Sequence, residues 1–134
     1  MKKEPLYRLF FLVIFFVFGF VGKAQEDIIH SVESAMKLGS SKELARYLNQ
    51  TVEINLEGEI SSYSKMQAEF VLKDFFKKNP PEGFEIIHNG TSKGGLKYAI
   101  GKYSCKRGYF RVWMRVKEFS GKLLVYEMNF FKED

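Results

Sequence analysis

The two prolines at Pro80 and Pro81 divide this chain into two regimes of hydrophobic periodicity. Before them helical spacings of three and four dominate, interrupted by one alternating strand pair, and after them apolar residues recur every second position. That change excludes both a helical bundle and an all-β sandwich, and it calls for helices laid against a sheet. Just upstream, Ala68, Val71, Leu72, Phe75 and Phe76 stand at i, i+3, i+4, i+7 and i+8, with Glu69, Lys73, Lys77 and Lys78 on the other side. Ser64-Lys65-Met66-Gln67 supplies a capping box at the start of this helix. Asn79 precedes a proline, which pushes it out of helical geometry and ends the helix. Lys77 and Lys78 then complement the helix dipole. The apolar stripe needs a cover.

The other segments show what can cover it. Between Glu26 and Leu38, Ile28, Ile29, Val32, Ala35 and Met36 share one side of a helix stopped by Gly39. Ser40-Ser41-Lys42-Glu43 has the capping-box form and opens a short helix with Leu44, Tyr47 and Leu48 on one side. Thr51 to Glu57 alternates as a half-buried strand does, Gly58 marks a turn or bulge, and Glu59 to Tyr63 runs back beside it. Phe84 to Asn89, Leu96 to Ser104, Tyr109 to Glu118 and Lys122 to Phe131 read as four more strands. They are joined by the turn-rich stretch Gly90 to Gly95 and by hairpin turns at Lys106-Arg107-Gly108 and Ser120-Gly121. On the strand from Tyr109, Phe110, Val112, Met114 and Val116 share one face, and Tyr109, Arg111, Trp113, Arg115 and Lys117 the other. On the last strand, Leu124, Tyr126, Met128 and Phe130 are expected to oppose Val125, Glu127 and Asn129. The expected fold is α+β, with N-terminal helices packed on a curved antiparallel sheet and Phe75 and Phe76 seated on its apolar face.

The first 24 residues stand apart from this domain. Lys2, Lys3 and Arg8 precede an uncharged run from Leu9 to Gly22, and Gly22-Lys23-Ala24 offers small residues at a cleavage position. This is the pattern of a secretory signal peptide, cut between Ala24 and Gln25. The run has 14 residues, short of the roughly 20 that a spanning helix needs. Residues 25–134 are then one domain, periplasmic or secreted, with no stable membrane anchor. Without the leader, 17 basic residues face 15 acidic ones, and the formal charge falls from +5 to +2. So small an excess gives no support for a nucleic-acid partner. Cys105 is the single cysteine, so no intramolecular disulfide forms and the core must hold the domain together.

Several stretches carry a resemblance: Lys42-Glu43-Leu44-Ala45, Tyr63-Ser64-Lys65, Leu72-Lys73-Asp74-Phe75-Phe76, Asn79-Pro80-Pro81, Phe84-Glu85-Ile86-Ile87-His88-Asn89-Gly90 and Tyr98-Ala99-Ile100-Gly101. In them the chain resembles DUF4783, a family of small exported Bacteroidetes proteins of unknown function, and more widely the nuclear transport factor 2-like (NTF2-like), or cystatin-like, cone. The resemblance implies a pocket between the helices and the concave side of the sheet. It implies no catalytic residues.

Candidate chemistry is sparse. His30 and His88 lie far apart without a metal-binding motif, so no metal or cofactor is expected. Cys105 stands beside Lys106 and Arg107, the kind of cationic setting that a nucleophilic thiol needs, but nothing marks His88 as its base. An isomerase- or hydratase-like enzyme needs a buried acid meeting a donor such as His88, Tyr98, Tyr103 or Tyr126. The available carboxylates, Glu53, Glu57 and Glu59, sit on or near the first strand pair, where alternation points Glu53 and Glu57 away from the apolar face. The first reading is therefore a non-enzymatic binding or interaction domain, with the enzyme as its alternative and a purely structural assembly subunit third. Its expected pocket, for a small apolar or amphipathic ligand, comprises Phe75, His88, Tyr98, Met114, Tyr126 and Met128. Its expected interaction surface, for a protein partner or a second copy forming a homodimer, comprises Tyr109, Arg111, Trp113 and Arg115. A ladder of solvated side chains is the plain alternative for that face. Export predicts that protein isolated from its own host begins at Gln25 by intact mass; a product retaining Met1 contradicts it.

Overall fold

The computed structural model describes residues 28–133. The apolar leader and its expected cleavage site lie outside the described residues. Helix α1 (Ile28–Leu38) buries Ile28, Val32, Ala35 and Met36. Helix α2 (Ser41–Ala45) begins at Ser40, whose hydroxyl accepts from the Glu43 N–H at 3.1 Å. The other half of the expected box is replaced. The Ser40 N–H donates to the Ala35 carbonyl, and the Glu43 carboxylate turns to Arg46. Helix α2 is also shorter than the sequence pattern predicts. The Tyr47 carbonyl already accepts from the Val125 N–H, and Leu48 belongs to the sheet.

Strands β1 (Leu48–Leu56) and β2 (Glu59–Ser64) form a hairpin through Glu57 and Gly58, both at positive φ. Ser64 then caps helix α3 (Lys65–Lys78) in a complete reciprocal box with Gln67. Past the prolines, β3 (Gly83–Thr91), β4 (Lys97–Cys105), β5 (Gly108–Phe119) and β6 (Lys122–Glu133) form a meander. The sheet order is β2-β1-β6-β5-β4-β3. Helices on a curved sheet were expected and are found, with one correction. The sheet is mixed, because β1 runs parallel to β6. Hairpins force antiparallel neighbours, but β1 and β6 are distant in the chain, and the crossover through α3 sets their relative direction.

Bulges bend this sheet. One lies in β3 between Ile86 and His88, and another separates the β5 and β6 registers, where Arg115 pairs with Glu127 but Val116 pairs with Val125. Tyr126 is the extra residue of the second. It shifts the alternation, so Val125 joins Met128 and Phe130 in the core, while Leu124 and Tyr126 are only half-buried. The expected facing of the last strand therefore fails upstream of Glu127. A strict period of two has no means of registering an inserted residue.

Helix α3 fills the concave side. The Phe75 ring lies 4.6 Å from Phe130, 5.1 Å from Phe110 and 5.4 Å from Tyr103, centroid to centroid. Gly101 makes room beside this cluster, since a Cβ there would stand 2.3 Å from the Phe84 ring. Removing the Phe75 ring would cost about 3–5 kcal/mol.

The buried C-cap Asn79 joins the helix end to the sheet. Its N–H and its side-chain amide both donate to the Phe75 carbonyl, at 2.8 and 3.2 Å. Its side-chain oxygen accepts from Arg107 at 3.1 Å, and its carbonyl accepts from the Tyr103 hydroxyl. Burial holds the Tyr103 pKa well above the usual phenol range, and Cys105 adds a smaller push upward. In the unfolded chain this phenol ionises near about pH 10. Its contribution is therefore fully present below about pH 10 and is lost as pH rises toward the folded-state pKa. Tyr103→Phe is expected to cost about 1–2 kcal/mol at neutral pH, by leaving the Asn79 carbonyl unpaired. It should also lessen the fall in stability between about pH 9 and 11. Urea unfolding across that range is the measurement.

Candidate functional site

The residues expected to form one pocket are divided by the sheet. Phe75, Met114 and Met128 are buried in the core, on the concave face that α3 covers. Tyr126 sits at the β6 bulge with its ring 6.3 Å from Phe119. His88 and Tyr98 come together, but toward the β3 side of the sheet and beside a different set of residues. Phe75 packs on Phe110, Phe130 and Tyr103 instead of lining a cavity, and the six residues do not meet around one space.

The open face of the sheet carries a groove of about 440 Å³. It lies across two adjacent cross-strand rows, lined by His88, Ile100 and Trp113 of one and by Tyr98 and Arg115 of the next. His88, Ile100, Trp113 and Asn129 lie in register in one row, and Gly90, Tyr98, Arg115 and Glu127 in the next. Gly90 leaves a gap over which Tyr98 leans, since a Cβ there would be 2.8 Å from the phenol oxygen. This lean brings the Tyr98 hydroxyl to 3.0 Å from His88 Nε2. Ser92, Leu96 and Lys97, from the β3–β4 turn and the start of β4, complete the wall. On the far side Glu127 holds Arg115 at 3.0 Å.

The four residues expected as an interaction surface share this open face, and most are tied down. Lys102 lies over the Tyr109 ring at 4.6 Å, and Arg111 pairs with Glu133 at 3.4 Å. Trp113 is 39% exposed, with Phe131 at 42% and Ile87 at 50% on the same sheet. At the groove Trp113 leaves apolar surface open, and toward Tyr109 the charged side chains of the face are paired.

A second groove, of about 390 Å³, separates α1 from the edge of β3. There Glu33 accepts from the Ile86 N–H at 2.9 Å, satisfying a backbone donor on the edge strand of the sheet. His30 and Lys37 flank the same carboxylate at 3.8 and 3.9 Å. Sequence reasoning passed over Glu33, Ile100 and Lys97. Only the placing of Glu33 on one helix face with His30 and Lys37 hinted at a fixed carboxylate.

Glu53, Glu57 and Glu59 are exposed, and Glu57 pairs with Arg107 at 3.5 Å. The Tyr103 hydroxyl is committed to Asn79, and the Cys105 thiol is buried in the core. Among the described residues no His, Cys, Asp and Glu side chains cluster as a metal site would require.

The model of "Domain of unknown function (DUF4783)" matches residues 29–130. A DUF4783 family protein from Bacteroides ovatus ATCC 8483 is 29% identical with a TM-score of 0.74, over 78% of this chain and 94% of that one. Another, from Bacteroides fragilis YCH46, is 30% identical with a TM-score of 0.72, over 77% of this chain and 96% of that one. An NTF2-like protein of unknown function from Shewanella baltica OS155 is 13% identical with a TM-score of 0.62, over 84% of this chain and 93% of that one. That last likeness concerns the fold alone, and the fold is NTF2-like. No curated protein matches the chain. By its family match and its two Bacteroides relatives, this chain belongs to the DUF4783 family of domains of unknown function.

Proposed function

We propose that the chain is an exported, non-enzymatic recognition domain that works through the open face of its sheet, at the groove beside Trp113. The observation that carries this reading is the placement of Trp113, Tyr98 and Arg115 around one exposed concavity. Trp, Tyr and Arg are the residue types that concentrate binding energy, and a half-exposed indole on a sheet face is apolar area in need of a partner. The filled concave side favours this face over a ligand within the cone. Export rests on the charged, apolar and small-residue order of the first 24 residues. Fold alone decides nothing here, because one architecture hosts unrelated activities.

Native mass spectrometry of the protein isolated gently from its own host tests the reading, beside a Trp113→Ala/Tyr98→Ala variant. The wild type is expected to carry an added mass, small molecule or polypeptide, that the variant loses. The variant should remain folded, with a stability loss of about 1–2 kcal/mol. An unaccompanied wild type, or a partner equally retained by the variant, contradicts the proposal.

A further inference from the structure

We infer that the groove beside Trp113 binds a small organic anion with a flat apolar body. This rests on the recognition reading and sharpens it to a ligand class. Charge complementarity is the first support. Lys97 and Arg115 line the groove and no carboxylate does. Glu127 fixes Arg115 from the β6 side, whereas Lys97 makes no ion pair among the described residues. A cation left without a partner beside apolar surface favours an incoming carboxylate, sulfonate or phosphate, because the bond formed is charge-assisted.

Shape is the second support. Ile100 forms part of the wall, with Trp113 in register beside it on β5 and Tyr98 two residues before it on β4. The hydrogen bond to His88 holds the Tyr98 phenol in its lean over Gly90. Aromatic and branched walls offer stacking and dispersion to a planar body. A volume of about 440 Å³ falls within the range of small-molecule sites, about 300–1,000 Å³. One or two fused rings carrying an acidic group fit both the space and the charge.

Trp113 is the single tryptophan, so its fluorescence reports on this wall alone. The probes are 8-anilinonaphthalene-1-sulfonate and its uncharged counterpart N-phenyl-1-naphthylamine, titrated into the folded protein. The sulfonate is expected to bind at one equivalent with energy transfer from Trp113, at least about tenfold tighter than the neutral amine. Lys97→Gln should weaken it about fivefold and remove most of that preference. Tyr98→Ala should weaken both probes. Equal affinity for the two probes, or sulfonate binding unchanged by both substitutions, overturns the inference. Should neither probe bind while the host-derived protein still carries a partner lost with Trp113 and Tyr98, the ligand class is wrong and the recognition reading survives. Failure of both experiments removes both.

Discussion

The end of α3 is the constraint on which the rest of the structure depends. A helix terminating inside a protein leaves carbonyls without partners, and each costs free energy if it stays dry. Here the prolines force the chain to leave the helix at a buried position, and Asn79 takes up the polar groups exposed there. Tyr103 and Arg107 reach it from β4 and the following turn. The same contacts set the distance of α3 from the sheet. At that distance Phe75 touches Phe110, Phe130 and Tyr103 together. A change at one of these groups is therefore felt by the others, because they share the hydrogen bonds of one residue.

A filled concave side changes where function is to be sought. Folds of this shape offer space between helices and sheet, but this sequence spends that space on large side chains. The opposite face carries the groove, beside a bulge and a glycine that break the regular ladder. A bulge interrupts β3 just before His88, and Gly90 lets Tyr98 lie down toward that histidine. Both are local departures from strand regularity, the kind that re-aim side chains at working surfaces.

Much of the fold was legible in the sequence. The α3 stripe, its capping box and its proline stop were readable because each is a local signal with a local cause. The same holds for the alternation of β5, whose inward residues Phe110, Val112, Met114 and Val116 are all buried. The parallel pairing of β1 with β6 was not legible, since no turn chemistry links them. Tyr126 was misread because a bulge leaves no mark in a pattern of two. The site suffered in the same way. Met114 and Met128 were correctly placed on the inner face, but whether that face encloses space depends on how deeply α3 settles. His88 and Tyr98 do meet, through a lean permitted by a glycine on the neighbouring strand.

The closed interior is the claim on which this account turns, and methionine-methyl NMR under xenon pressure tests it most directly. Met114 and Met128 are both buried against the cluster that α3 completes. Their resonances are predicted to stay unmoved as xenon is raised, because a packed core offers no apolar void to fill. A saturable shift at either methyl would reveal an empty chamber under the sheet, and would return the search for a ligand to the inside of the cone.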